Sequence, residues 1–442
     1  MPRRAESRHR LRALTAAALT AGALAALPAV ASAPAKVKAQ APPAPAEAAD
    51  EAPAGFLQAL RDGAFHLALR YRFETVDDDA FRDGAEASTL RTALSYRTGD
   101  WRGWNLFLEA EDVSPVFDDD SYANAGLDGR DNGVRGVPVV ADPEGTAMTQ
   151  AYLRWRDGEA ESVKATLGRQ EINLGDERFV GAVGWRQHHQ TFDAARLEWA
   201  PEGAPGRFHA DAIWVAGVNR IFGDRQELDG HLLRLGVEPV AGLGLTAYGF
   251  RLDYDEPSPL STLTLGVEAK GSRPLTGALE LRYEAEWARQ EDAGDNPVPV
   301  DTDYRLASLG LGVGRFGFDA TWEVLGGPGD GQRAFATPLA TLHKWNGWAD
   351  VFLQTPAAGL ETLYLRAKGP LGERLGWTVV YHDFASDEGG LDLGSDLGSE
   401  VDAELTFRAS WGQTFALTAA DYSAGDVLTD TRKVWFWTAY TF

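Results

Sequence analysis

The chain has no cysteine among its 442 residues, so disulfides, thiol nucleophiles and thiolate-bound metals are excluded. Positive charge is short: 42 Lys and Arg against 65 Asp and Glu leave a net charge of −23, which argues against nucleic acid as a partner. Beyond the N-terminal segment no apolar run reaches the ~20 residues that a spanning helix needs. No Gly-x-Ser-x-Gly elbow occurs, and only eight histidines are present, so an enzyme is not expected. Methionine is down to two, whereas Gly (48), Trp (14), Phe (20) and Tyr (12) are plentiful.

The N-terminus reads as a targeting segment. Arg3, Arg4, Arg8, Arg10 and Arg12 precede an apolar run from Leu14 to Ala26, and Ala29-Val30-Ala31 supplies small residues for a cut after Ala31. Residues 1–31 are thus the expected signal peptide. They carry five Arg and one Glu, a net +4, which puts the mature chain near −27. Residues 32–63 read as an Ala/Pro-rich periplasmic linker with a short helical turn at 56–62.

From Phe65 onward the period is two. Phe65, Leu67, Leu69, Tyr71 and Phe73 share one face, while His66, Ala68, Arg70, Arg72 and Glu74 share the other. A helix does not separate residues this way; a strand with one apolar and one wet face does. The pattern returns with Leu90, Leu94 and Tyr96, with Leu279 to Trp287, with Leu375 to Tyr381 and with Val401 to Phe407. Its persistence predicts an all-β fold over 64–442: one closed transmembrane antiparallel barrel of about 18 strands, lipid outside and water inside. Closure is obligatory because a bare sheet edge is intolerable in lipid. Weak alternation makes 208–216 and 304–313 the least defined strands.

Short connections at 98–103, 158–161, 240–242, 272–275 and 369–374 alternate with long ones at 75–87, 113–147, 172–190, 290–302, 326–358 and 385–398. Short turns belong on the periplasmic side and long loops outside. The last strand alternates through Val434, Phe436, Thr438 and Tyr440 to Phe442, and an aromatic C-terminus of this kind resembles an outer-membrane targeting signal. The expected location is the outer membrane of a Gram-negative bacterium.

Three stretches resemble the alginate-export family of outer-membrane porins. They are Leu69-Arg70-Tyr71-Arg72-Phe73-Glu74 with Ala87-Ser88-Thr89-Leu90-Arg91-Thr92; Leu167-Gly168-Arg169-Gln170 with Arg178-Phe179-Val180-Gly181, Trp185-Arg186-Gln187 and Gln190-Thr191-Phe192-Asp193; and Thr337 through Lys344 to Trp345-Asn346-Gly347-Trp348-Ala349-Asp350. The resemblance implies a monomeric barrel whose lumen is lined by arginines balanced by carboxylates and narrowed by loops. It further implies passage of an alginate-like polyuronate, with periplasmic secretion partners. Arg70, Arg72, Arg91 and Arg169 match the family pattern, with Glu74 and Glu109 as weaker acidic matches.

Candidate solute-binding residues are therefore Arg70, Arg72, Arg91, Arg154, Arg169, Arg282, Arg366, Glu74 and Glu109, all placed at or near inward positions. Guanidinium forks hold carboxylates in two-point geometry and stay charged at physiological pH. The same arginines can instead brace the wall. The expected partners are an anionic oligo- or polysaccharide and the lipopolysaccharide of the membrane. No cofactor and no metal is expected. Asp128, Asp131 and Asn132 before Gly133 loosely resemble a calcium loop, and Asp77-Asp78-Asp79 and Asp118-Asp119-Asp120 are acidic, but such loops are usually solvated. His188-His189 offer a poor chelating geometry, and Glu109 with Glu111 are same-face neighbours on any strand. Trp345 and Trp348, with His343 and Lys344, either stack on sugars or pack a folded-in loop. A general or solute-specific uptake porin, or a barrel with a plugged lumen, fits the same fold.

Overall fold

The computed structural model describes residues 55–117, 120–158, 162–201, 207–256, 258–328, 332–387 and 396–442. The expected signal peptide, residues 32–54 of the expected linker, and Asp118 and Asp119 lie outside the described residues. A short helix α1 (Phe56–Arg61) is followed by eighteen strands. The first nine are β1 (Ala64–Asp78), β2 (Ala85–Arg97), β3 (Trp104–Pro115), β4 (Gly145–Arg156), β5 (Val163–Gln170), β6 (Thr191–Trp199), β7 (His209–Asn219), β8 (Arg225–Val240) and β9 (Leu243–Tyr254). The second nine are β10 (Thr262–Thr276), β11 (Leu279–Asp292), β12 (Asp301–Val313), β13 (Phe316–Leu325), β14 (Leu360–Leu371), β15 (Leu375–Ala385), β16 (Asp396–Arg408), β17 (Thr414–Ala424) and β18 (Thr431–Thr441).

Each strand pairs antiparallel with its neighbours in sequence, and β18 returns to β1 from Ala68↔Thr441 to Asp78↔Thr431. The sheet is closed, so every strand has two partners. Outward positions carry apolar side chains that the protein leaves uncovered, among them Phe65, Leu94, Leu167, Leu233, Leu265, Leu309, Leu365, Val401 and Leu417. Exposed Trp104, Trp199 and Trp411 sit by the short turns, and exposed Trp214, Trp287 and Trp322 sit higher on the wall. This is the apolar band between aromatic girdles that a bilayer requires.

One end of the barrel has short connections, for example 241–242, 277–278, 314–315 and 372–374. The other end carries the loops 116–144, 171–190 and 326–359. Two connections differ most from the sequence reading. The 75–87 loop shrinks to 79–84 because β1 and β2 stay paired up to Val76↔Ala85. The 272–275 turn lies inside β10, which remains paired with β11 through Pro274↔Glu280.

The long loops fold into the lumen and bring an apolar core with them. Phe179 lies 5.2–6.0 Å, ring to ring, from Tyr248, Phe250, Tyr304 and Phe335. Loops 171–190 and 326–359 are joined by a parallel bridge at Val180↔Leu339 and by Gly181 N–H donating to Leu339 O at 2.9 Å. This core explains the weak alternation of β7 and β12. Ile213, Val215, Tyr304 and Leu306 point inward yet are buried, so these strands are apolar on both faces.

Candidate functional site

The lumen is built from inward side chains and the loops that cover them. Three loops converge on the wall of β1 to β3. Arg186 donates to Glu74 at 3.1 Å and to Asp350 at 2.8 Å, tying the 171–190 loop to the wall and to the 326–359 loop. Arg72 donates to Glu74 at 2.8 Å and to Trp185 O at 2.7 Å, with its guanidinium 4.7 Å above the Trp185 ring. Asp142, from the 116–144 loop, accepts the Gln187 N–H at 2.9 Å. His188 bridges Glu111 at 2.7 Å and Pro143 O at 2.8 Å, and His189 meets Glu171 at 2.7 Å. His343 stacks on Trp185 at 4.1 Å and lies 2.8 Å from Asp350.

The loop charges are tuned by this packing. Burial alone would raise the Asp142 carboxyl, but Arg72 and Arg186 hold it below its ordinary range. Burial likewise acts to raise Asp350, and His343, Lys433 and Arg186 more than reverse it. The His343 imidazole is lowered by burial despite its Asp350 partner. The turn at Gly347 adopts φ +87°, where a side chain is strained, and an added Cβ would lie 2.5 Å from Glu400 Oε2. Glu400 on β16 accepts the Ala349 N–H at 2.8 Å and so seats this turn on the wall.

The candidate residues divide into three groups. Arg72, Arg91 and Glu74 are buried in protein contacts, and Arg91 donates to Glu111 at 2.7 Å. Arg70 is held by the 171–190 loop, donating to Gln187 Oε1 at 2.8 Å and Gly184 O at 3.0 Å. Glu109 accepts from Thr149 at 3.0 Å and Gln150 at 3.2 Å. Arg154, Arg282 and Arg366 face the lumen and are partly open. Arg282 and Arg366 share one carboxylate, Asp319, at 2.8 and 3.0 Å.

Arg169 is corrected. On β5, Thr166 and Gln170 are buried inside and Leu167 is exposed outside, so Arg169 shares the outer face with Leu167. There it pairs with Asp193 at 2.7 Å, and Arg225 joins the same carboxylate at 3.2 Å. The sequence pattern misassigned it because β5 ends at the membrane boundary, where outward positions become polar. Asp131 is likewise committed within its own loop, to Arg135 and to the Gly133 N–H at 2.7 Å.

Several organising residues escaped the sequence reading. Arg178 donates to Glu323 at 2.6 Å inside the apolar core, and Tyr304 OH donates to the same oxygen at 2.8 Å. Asp319, Asp350 and Glu400 were missed as well. Loop residues carry no periodicity to betray them, although Arg178, Arg186 and Asp350 lay inside the family-like stretches. Glu268, Glu284, Glu286 and Glu323 line the lumen on β10, β11 and β13, across from β1 to β3, and Glu400 and Asp402 line it on β16, nearer to β1.

A closed eighteen-stranded barrel with an apolar girdle and a charged, loop-narrowed lumen defines a channel of the Gram-negative outer membrane, in the manner of porins. Residues 63–311 match the alginate export family, and the chain belongs to that family. No match is found among curated protein sequences. Among solved structures the chain is similar to OccK9 (OpdG) of Pseudomonas aeruginosa, at 15% identity and a TM-score of 0.66 over 87% of this chain and 99% of that one. It is also similar to OpdK of the same organism, solved with vanillate, at 16% identity and 0.64 over 87% and 99%. OccAB4 of Acinetobacter baumannii follows at 12% identity and 0.64 over 86% and 98%. At these identities the likeness is one of fold.

Proposed function

We propose that this channel passes carboxylate-bearing saccharides, alginate-like oligo- and polyuronates, through its arginine-bearing lumen. One observation carries the reading. Arg282 and Arg366 keep 31% and 38% of their side chains accessible and share the single carboxylate Asp319, so positive charge is left over where solute can reach it. Each guanidinium there offers donors to a passing carboxylate, weak enough to release it again. To the outward pairs around Arg169 and Asp193, at the long-loop end of β5 and β6, we assign lipopolysaccharide headgroups as partner.

A second reading is diffusion of small carboxylates, inward or outward. The inward-packed loops favour it, since a thin solute passes a narrowed lumen more readily than a polymer does. The vanillate in the OpdK structure is also a small carboxylate. A passive pore has no built-in direction, so the gradient sets the flux.

Single-channel current through the refolded protein in a planar bilayer tests both readings. Anion-selective current blocked by short oligouronates supports the saccharide reading. Current blocked by vanillate but indifferent to oligouronates supports the small-solute reading.

A further inference from the structure

The inner-wall arginines described so far are engaged by carboxylates or carbonyls. Arg97 and Arg154 are engaged by aromatic rings. Both point inward at the periplasmic ends of β2 and β4, beside the short turns. The Arg97 guanidinium lies 5.4 Å from the Phe107 ring centre, and that of Arg154 lies 4.8 Å from Tyr152. The two rings stack on each other at 5.2 Å with 26° between their planes. Strand register produces this order, because Arg97 is directly opposite Phe107 and Phe107 is directly opposite Tyr152. Arg, Phe, Tyr and Arg thus form one continuous stack across β2, β3 and β4. The rings are buried, at 5% and 6% exposure, while both arginines remain partly open.

The donors of these arginines are largely free. Among the described residues no carboxylate stands within ion-pair distance of either, and Arg154 spends only its Nε–H, on Thr166 at 3.2 Å. Asp100 in the adjoining turn is taken by Arg156 and by Asn105 at 3.1 Å. A cation–π seat fixes the plane of a guanidinium without consuming its N–H groups, whereas an ion pair consumes the donors and cancels the charge. Fixing the side chain in advance also lowers the ordering cost of binding. Tyr152 faces Gly168 on β5, where φ is +124° and a Cβ would lie 2.3 Å from Ala151 O, so no side chain stands beside the stack there.

We propose that Arg97 and Arg154, seated on Phe107 and Tyr152, form a carboxylate-binding site for a hexuronate unit at the periplasmic entrance of the lumen. This rests on the carboxylate-saccharide reading above and gives it a location. A neutral hexose offers only hydroxyl oxygens, without the charge-assisted two-point bond, and is held far more weakly.

The test is block of single-channel current by glucuronate, with glucose as the neutral probe, in wild type and variants. Heat-modifiable gel mobility and potassium chloride conductance within about twofold of wild type verify folding. Arg97→Gln and Arg154→Gln are each expected to raise the half-blocking glucuronate concentration roughly tenfold, the loss of a charge-assisted hydrogen bond. Arg154→Lys restores charge without the fork and recovers only part of the loss. Phe107→Leu, which keeps both arginines, weakens block by about threefold through loss of the seat. Arg408→Gln, an exposed inward arginine at the end of β16, with β17, β18 and β1 between it and β2, changes block by less than about twofold. Wild-type block that survives both Gln variants overturns the site and leaves the saccharide reading standing. A wild-type channel indifferent to both glucuronate and oligouronates overturns the two together.

Discussion

The outer and periplasmic halves of the lumen use the same residue type in opposite ways. In the outer half Arg72, Arg178 and Arg186 are almost inaccessible and locked into ion pairs of 2.6–3.1 Å. In the periplasmic half Arg154, Arg282 and Arg366 also face inward but remain open. In the outer set only Arg72 stands on a strand, covered by the loops, while Arg178 and Arg186 belong to the 171–190 loop itself. Where loops 171–190 and 326–359 cover an arginine it becomes a rivet, and where they end it becomes a surface for solute. Bracing and binding are thus two fates of one inward arginine, decided by what lies above it.

The comparison breaks most sharply at Glu323. Removing it as Glu323→Ala strands the Arg178 charge in the apolar core and is expected to destabilise the barrel by about 3–5 kcal/mol. Asp319→Asn in the open half is expected to cost well under half of that, since water screens its two arginines. Urea unfolding in detergent micelles, followed by tryptophan fluorescence, ranks the pair; equal losses would abolish the distinction.

Gly347→Ala comes next. It sets a side chain against the Glu400 carboxylate in a strained backbone, at about 1–3 kcal/mol, and should lift the 326–359 loop from the wall. Single-channel conductance rises if that loop narrows the lumen and stays unchanged if it does not.

Acid gives a graded version of the same release. His343 is lowered by burial and so is neutral when packed, whereas a detached loop takes up a proton below the ordinary value of 6.5. Asp142 and Asp350 are lowered too, and their stabilising charge is lost only as pH falls below the ordinary 3.8. Both effects have the same sign. Loop packing weakens as pH falls, first below about 6.5 and again below about 3.8. Limited proteolysis of the 326–359 loop between pH 8 and pH 4 should speed up toward acid, and a flat profile would remove His343 from the loop contact.

The smallest effect is expected at Arg169→Gln. A partly exposed outer-face pair contributes about 0–1 kcal/mol, and solute block should not change. A tenfold loss of block would restore Arg169 to the lumen and contradict its place beside Leu167.

The sequence carried the barrel because strand periodicity is local. The face assignments of β1, β2, β11, β15 and β16 follow directly from alternation, and the strand count follows from the turns. The same logic placed Arg282 and Arg366 on the inner wall. It failed at Arg169, where outward positions turn polar above the lipid zone, so polarity no longer marks the inside. It could not find Glu323 or Glu400 as loop anchors, because their partners lie in loops whose path is fixed only by tertiary packing. Trp345 and Trp348 were legible as loop residues, and the structure chooses packing for Trp345, which is buried beside Arg178.

The pairing of β1 with β18 has a consequence for assembly. Tyr71 and Thr438 are direct partners at opposite ends of the chain, and Phe442 N–H donates to Leu67 O at 2.9 Å. The contact that removes the last open edge is therefore also the one of greatest sequence separation. Contacts of that kind are the slowest to form. Until the last strand arrives the sheet has two bare edges, which lipid does not tolerate. The chain must be kept from pairing with others for its whole length, and a truncation within β18 stalls insertion rather than shortening the barrel.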